Sequence, residues 1–295
     1  MDVEMKIQEP INRVTRKQKL KNYSKHPGSF LLALLTKLAI LLTVLALGFI
    51  LIYILVKGIP NLSTDLFALK YTTENVSMLP AIINTLIITL LSLCIAGPIG
   101  IFSAIYLVEY AKKGNKLVGV VRVTAETLTG IPSIVYGLFG MLFFVTTLKC
   151  GYSLLAGALT LSIMVLPVIM RTTEEALLAV PNSFREGSFG LGAGKLRTIF
   201  KIVLPSAVPG ILAGVILAIG RMVGETAALI YTAGTVAEIP SSIMSSGRTL
   251  AIHMYSLSKE GLYTDQAYAT AVVLLIVVVL INMLSNFVAK KFTKK

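Results

Sequence analysis

The sequence predicts an all-α membrane protein with six transmembrane helices and both termini in the cytoplasm. Three observations lead to this fold class. Only 14% of the 295 residues are charged and mean hydropathy is +0.82, whereas about a quarter of the residues in a soluble domain carry charge. Six apolar runs approach or exceed the roughly 20 residues that a spanning helix needs. Lys and Arg are concentrated in alternate loops.

The six candidate spans are continuous apolar runs separated by polar loops. The first, residues 29–57, is featureless apart from Lys37 near its cytoplasmic end, and we interpret it as an accessory anchor. The fourth is short by itself, but its helical pattern continues to Val180. In chain order the apolar runs are 30–56, 78–108, 123–148, 154–170, 203–231 and 267–288.

The net charge of +13 follows the predicted topology rather than a nucleic-acid surface. Residues 1–28 form a basic tail with seven Lys and Arg, residues 112–122 hold four, residues 171–201 hold five, and the basic C-terminal tail, residues 290–295, holds four. The three loops on the opposite side hold five in total. Cytoplasmic loops carry the excess of Lys and Arg, so both tails are placed in the cytoplasm and nucleic acid is not an expected partner.

From residue 78 onward the spans are rich in residues that kink helices or let them approach closely. Kinks are expected at 97–98, 130–132, 167 and 209–210, where Gly and Pro occur. Pairs of small residues four apart permit close helix contact, and they occur at Ala96/Gly100, Gly210/Gly214 and Gly220/Gly224. These features favour a bundle with an interior. The outer loop 232–268 is long enough to form a cap or a short helix.

Three predicted spans carry an Arg followed four residues later by a Glu. This spacing places both groups on one helix face, within reach of an ion pair. The candidate pairs are Arg122/Glu126, Arg171/Glu175 and Arg221/Glu225, and Glu174 is a further acidic partner. One interpretation is a set of internal salt bridges that fix packing. The other is a polar pathway, because charges inside spans are costly and commonly functional.

Arg221 is the strongest pathway candidate from the residues alone. It lies midway along the fifth span between Gly220 and Gly224, which leave room beside it. A guanidinium stays protonated and binds oxyanions through its planar fork. An arginine in a transport pathway therefore indicates an anionic cargo such as phosphate or sulfate, and the residues do not decide between them.

No catalytic site is expected in this chain. The single Gly-Lys near a glycine-rich stretch is Gly194-Lys195, but a P-loop needs Ser or Thr where Leu196 stands and Gly where Phe189 stands. His26 and His253 are isolated, and no nucleophile and base are paired in sequence. If transport is driven by ATP, another chain hydrolyses it, and no cofactor is expected in this one.

Several motifs resemble the membrane subunits of type I ABC importers. Glu186 is followed by Gly192 six residues on and by Ile202-x-Leu204-Pro205 ten further on, which resembles the EAA coupling loop of that family. Gly187-Ser188 replace the two Ala that usually follow the Glu. Within the family, three narrower strings look most like the PstA permeases of phosphate transporters: residues 131–139, 171–174 and 220–227.

The resemblance implies a permease domain over residues 78–289 with a cytoplasmic coupling loop at 181–205, in a bacterial or archaeal plasma membrane. It implies a PstC-like second permease, two PstB-like ATPase subunits that bind ATP and Mg²⁺, and an extracytoplasmic PstS-like phosphate-binding protein. It assigns substrate passage to Arg171 and Arg221, with Glu225 beside Arg221. It assigns ATPase coupling to five positions: Arg185, Glu186, Gly192, Leu204 and Pro205.

Three alternatives stay open at this point. A type I permease for molybdate or sulfate would share the coupling loop but not the narrower strings. A proton-coupled secondary transporter would use Glu126 and Glu225 but would not explain the loop 181–205. A membrane scaffold would tolerate substitution of Arg221.

Overall fold

The computed structural model describes residues 27–112 and 114–293, and within them regular structure is helical. The basic N-terminal tail predicted at 1–28 lies outside these ranges except for residues 27–28, whereas residues 290–293 of the predicted C-terminal tail belong to the last helix. The chain divides into two compact units, residues 1–54 and 55–295. The first unit contains most of helix α1 (Pro27–Gly58), whose apolar side chains are exposed along its length, as in a helix that faces lipid.

The second unit contains the remaining helices. Their bounds are α2 Leu79–Ile105, α3 Lys116–Thr129, α4 Ser133–Gly140, α5 Leu154–Leu178, α6 Asn182–Gly190, α7 Lys195–Thr198, α8 Leu204–Val223, α9 Ala227–Ile230, α10 Leu250–Glu260 and α11 Thr264–Thr293. Single π-helical segments extend α2 to Tyr110, extend α4 to Thr147 and join α7 to α8.

Five helical segments are long and apolar enough to cross a membrane: Gly28–Asn61, Leu79–Tyr110, Leu154–Leu178, Lys195–Val223 and Thr264–Phe287. The predicted third span is not one straight helix, because it breaks at the kink predicted for residues 130–132. Helices α3 and α4 meet at an angle of 103°. The break falls at Gly130–Pro132, because Pro132 cannot continue the ladder and Gly130 caps α3. Counted as one span, the broken pair completes the six that the sequence predicts.

The fifth span also departs from its prediction. Helix α8 ends at Val223, eight residues before the predicted end at residue 231, because Gly224 caps it. The chain then turns into the short helix α9. The Glu225 carboxylate accepts a hydrogen bond from the Ala228 backbone N–H (3.1 Å) and caps this helix. Glu225 is therefore not on the same helix as Arg221.

Helix α5 is the centre of the bundle, with α2 on one side and α8 on the other. Small residues allow these contacts, since a Cβ on Gly100 would lie 2.9 Å from Ile169 and one on Gly210 would lie 2.6 Å from Ala176. A Cβ on Gly214 would come even closer to the Thr172 side chain. The predicted close approach is confirmed for these glycines. Gly220 has no such neighbour among the described residues of this chain.

The outer end of the bundle is closed by the segment between α9 and α10. Backbone hydrogen bonds join Leu154 N–H to Ser245 O (3.1 Å) and Arg248 N–H to Val236 O (2.8 Å), which fold this segment over the start of α5. The segment ends in helix α10, as the length of the outer loop predicts. The opposite end of α5 leads into α6, so α6 and α10 lie at opposite ends of the bundle.

Candidate functional site

A charged cluster connects α3 with α5 near the end of the bundle from which α6 extends. Arg122 Nη2 lies 2.6 Å from Glu174 Oε1, and Arg171 Nη1 lies 3.2 Å from Glu126 Oε1. Both ion pairs therefore join different helices. Arg171 Nε also donates to Glu175 Oε1 at 3.2 Å, which is the predicted pair within α5. The predicted pair of Arg122 with Glu126 does not form, because both side chains turn toward α5.

The two interhelical ion pairs differ in their exposure to solvent. The Glu174 side chain is 12% exposed, so its pair with Arg122 is shielded on one side. Arg171, Glu126 and Glu175 are all more than half exposed. Exposed ion pairs contribute only about 0–1 kcal/mol, whereas removing one partner of a shielded pair leaves a costly charge. Arg122–Glu174 therefore fixes α3 against α5, and Arg171 can exchange its partners.

This cluster lines an open cavity of about 430 Å³ between α3 and α5. Two guanidinium groups face three carboxylates, which leaves the cavity with a formal charge of −1. Apolar residues complete its wall. The lining consists of Arg122, Ala125, Glu126, Met170, Arg171, Glu174, Glu175 and Leu178.

Arg221 differs from the other two arginines because it has no carboxylate partner among residues 27–112 and 114–293. It lies in the last turn of α8 and is partly exposed. Its predicted partner Glu225 instead caps α9. A Cβ on Gly220 would meet no atom within 4 Å, so the space beside Arg221 is open.

Tyr136 supports the break in the third span. Its hydroxyl donates to the Leu128 carbonyl of α3 at 2.7 Å, and the side chain is buried. The next residue, Gly137, lies against α9, where a Cβ would come within 2.9 Å of Ala228. Contacts therefore run from α9 through α4 to the last turn of α3.

Arg185 is positioned inward, away from the surface that coupling was expected to use. Its Nε and Nη2 donate to Glu109 Oε1 at 3.1 and 2.7 Å. The same guanidinium donates to the carbonyls of Leu177 (2.9 Å) and Val180 (2.8 Å) at the end of α5. Arg185 thus connects α6 with the ends of α2 and α5.

The other face of α6 is exposed. Glu186 lies on it, and the apolar side chains of Phe184, Phe189 and Leu191 stand out into solvent, the last 91% exposed. Gly192 adopts a φ of +80°, which favours glycine and turns the chain back toward α7. Ser188 and Thr198 close this turn with a hydrogen bond of 2.8 Å between their hydroxyls.

The last two predicted coupling positions begin α8. Leu204 is partly buried and Pro205 is exposed, directly after the π-helical segment that joins α7 to α8. Sequence reasoning missed Glu109 and Tyr136. Glu109 directly follows the predicted second span. An acidic residue at the cytoplasmic end of a span is a usable signal for an ion pair with another part of the chain. Tyr136 gave none, because a tyrosine in an apolar run is unremarkable.

Residues 96–295 match the family model of the binding-protein-dependent transport system inner membrane component. This match covers more than half of the chain. The chain belongs to this family.

Individual relatives agree with this assignment. The permease is 36% identical over 269 residues to the phosphate transport system permease protein PstA of Pasteurella multocida, covering 87% of this chain and 92% of the relative. It is 32% identical over 261 residues to the probable ABC transporter permease protein YqgI of Bacillus subtilis, covering 82% and 88%.

Solved structures show that the permease has the type I ABC importer fold. A bacterial alginate ABC transporter, crystallised with its alginate-bound periplasmic protein, contains a chain that matches with a TM-score of 0.67 at 17% identity, covering 92% of this chain and 98% of that one. A chain of the MetNI methionine ABC transporter in an inward-facing conformation matches with a TM-score of 0.56 at 21% identity, covering 73% and 94%.

Proposed function

We propose that this chain is the membrane subunit of an ATP-driven importer of inorganic phosphate and forms half of its translocation pore. The observation that carries the proposal is Arg221, a permanently charged side chain in a span, without a carboxylate partner in the described ranges and with open space beside it. Such a group favours an oxyanion, and the PstA relative supplies the choice of phosphate.

Arg171 has a different role in this scheme. Glu126 and Glu175 occupy its Nη1 and Nε, so two of its three nitrogens already face carboxylates, which offset its positive charge. The surplus negative charge of the cavity repels a phosphate ion. Arg221 therefore attracts phosphate, and the cavity beside Arg171 favours its release toward the cytoplasm.

Coupling to ATP hydrolysis uses the exposed face of α6. The apolar side chains of Phe184, Phe189 and Leu191 lie outside the spans, and exposed apolar clusters of this kind mark protein interfaces. We place an ATPase subunit against this face, with Glu186 at the contact. Arg185 on the opposite face transmits movement of α6 to α2 and α5 through Glu109 and the two carbonyls.

The complete importer contains further chains. ATP and Mg²⁺ belong to two PstB-like ATPase subunits, so this chain is not itself an enzyme. A PstC-like permease supplies the other half of the pore. A PstS-like binding protein delivers phosphate at the outer face, in keeping with a family described as binding-protein-dependent. We place the assembly in the plasma membrane of a bacterium or archaeon.

The decisive experiment measures uptake of radiolabelled phosphate by cells that carry Arg221→Gln. We expect uptake to fall at least tenfold while the ATPase subunits still co-purify and hydrolyse ATP. Lys70→Gln, which removes an exposed cation from the loop between α1 and α2, is the matched control and leaves uptake unchanged. Normal phosphate uptake by Arg221→Gln would refute the role of Arg221 in phosphate passage. Loss of co-purification with the ATPase subunits would show that Arg221 stabilises the packing of the bundle instead.

A further inference from the structure

The outer end of the bundle contains a second arginine without a carboxylate partner in the described ranges. Arg248 is 6% exposed, and its Nε and Nη2 are buried with no hydrogen-bond partner among residues 27–112 and 114–293. The ring of Tyr71 covers the flat face of the guanidinium, with Cζ 4.6 Å from the ring centroid. Because the N–H donors point outward in the guanidinium plane, this stacking leaves them unoccupied. A buried, permanent cation of this kind needs a negative partner.

Arg248 directly precedes helix α10, whose first turn is also left without its usual cap. Thr249 occupies the cap position with extended backbone angles, but its side chain makes no hydrogen bond to the first turn. Its hydroxyl is buried and unpaired. Thr85 Oγ1 accepts a hydrogen bond from the backbone N–H of Leu250 at 2.8 Å. The Thr249 side chain caps neither of the next two backbone N–H groups of the first turn. A helix N-terminus attracts anions through these groups and its dipole.

His253 lies in the same turn and is fully buried. Neither ring nitrogen has a hydrogen-bond partner of good geometry in the described part of the chain, and the Val76 backbone makes only a weak contact with the ring. Burial and the charge of Arg248 lower the pKa of His253 to about 3, although the Val76 carbonyl opposes this shift. The ring is therefore neutral and offers one donor and one acceptor nitrogen.

We propose that Arg248, Thr249, His253 and the first turn of α10 form a binding site for hydrogen phosphate at the outer face of the permease. The Arg248 fork binds two oxygens of the ion, and the Thr249 hydroxyl and first-turn N–H groups bind the others. The acceptor nitrogen of His253 accepts a hydrogen bond from the phosphate hydroxyl. Sulfate is fully ionised and has no such hydrogen, so the site favours phosphate over sulfate.

The site is closed in this structure, since the unpaired atoms are shielded from solvent and Tyr71 covers Arg248. Binding therefore requires Tyr71 to move away. Its position at the end of the bundle opposite α6 makes this a receiving site for incoming ions, separate from Arg221. This inference rests on the proposed function, because it assumes that phosphate arrives at the outer face.

The test measures the apparent Tm of the complete transporter in lipid nanodiscs, without its binding protein, as inorganic phosphate is added. Arg248→Met is expected to raise Tm in the absence of phosphate, because it removes an uncompensated buried charge. It is also expected to raise at least tenfold the phosphate concentration that gives half of the stabilisation. Arg248→Lys keeps the charge but not the fork, and we expect the same tenfold shift. Lys259→Met, an exposed cation on the same helix, changes neither quantity.

Two comparisons separate this site from the pathway. Stabilisation through Arg248 is expected to persist in Arg221→Gln, and sodium sulfate at equal concentration is expected not to stabilise that variant. The site would be overturned if phosphate raised the Tm of wild type and of both Arg248 variants equally. It would also be overturned if Arg248→Met had a lower Tm than wild type without phosphate and was still stabilised by phosphate. If the wild type imports phosphate in these cases, the proposed function stands. Absence of phosphate import by the wild type would instead refute the proposed function.

Discussion

Arg185 in α6 binds Glu109, at the end of α2, through two nitrogens of its guanidinium, at 3.1 and 2.7 Å from the same carboxylate oxygen. The two side chains are only 15% and 10% exposed. The contact spans 76 residues of sequence and is an ion pair that joins α6 to the second transmembrane helix. Movement of α6 therefore acts directly on α2, without passing through the cavity between α3 and α5.

Arg185→Ala is expected to destabilise the permease by about 3 kcal/mol, because it leaves the shielded Glu109 carboxylate without a cation. Glu109→Gln is expected to cost less, about 1–2 kcal/mol, because Arg185 keeps its two carbonyl acceptors. Thermal unfolding of the purified protein measures both. Arg197→Ala removes an exposed cation from the same loop and serves as the control. Equal effects of Arg185→Ala and Arg197→Ala would contradict the buried ion pair.

Gly214→Ala is expected to destabilise the bundle by about 1–3 kcal/mol. The new methyl group would collide with Thr172 of α5, and overpacking of a close helix contact costs this much. Gly220→Ala, on the same helix, meets no atom within 4 Å and is expected to gain up to about 1 kcal/mol from helix propensity. Both variants are compared by thermal unfolding in detergent. A similar loss for both would show that helix flexibility, not packing, requires these glycines.

Tyr136→Phe is expected to lower phosphate uptake several-fold while costing only about 1 kcal/mol of stability. It removes one hydrogen bond to the Leu128 carbonyl, the link that holds α3 at its angle to α4. Arg122 and Glu126 of α3 then lose their fixed placement against α5. Uptake and thermal unfolding are measured in parallel. Tyr106→Phe, which alters an exposed tyrosine, should leave both at the wild-type level.

The spans could be predicted from sequence because they depend on local patterns. Apolar runs, alternating Lys and Arg, and Gly or Pro at breaks all act within a few residues. The ion pairs depend on which helix faces which. Spacing placed Arg122 and Glu126 on one face correctly, but that face lies against α5, so each finds its partner there.

Arg221 shows a second limit of spacing rules. A separation of four residues predicts a pair only if the helix continues, and Gly224 ends α8 before Glu225 is reached. The sequence predicts that Gly224 leaves space beside Arg221, and the same glycine also directs Glu225 to another helix. His253 is a third case. Sequence reasoning treated it as an isolated residue of the outer loop, and the fold buries it under Tyr71.

His253 predicts a measurable dependence of stability on pH. Burial and the charge of Arg248 lower the pKa of His253 to about 3 in the folded protein, whereas an unfolded histidine titrates near 6.5. The unfolded state therefore binds a proton that the folded state does not, and stability falls as pH decreases below about 6.5. Between pH 7 and pH 5 this group alone is expected to remove about 2 kcal/mol.

His253→Asn isolates this contribution, because asparagine does not titrate and other groups change equally in both proteins. The neighbours that face His253 are the Arg248 guanidinium, the Tyr71 ring and the Val76 backbone. Thermal unfolding at pH 7 and pH 5 should show a larger loss for wild type than for the variant. Equal losses would mean that water reaches His253, and that its ring is charged in the folded protein at pH 5.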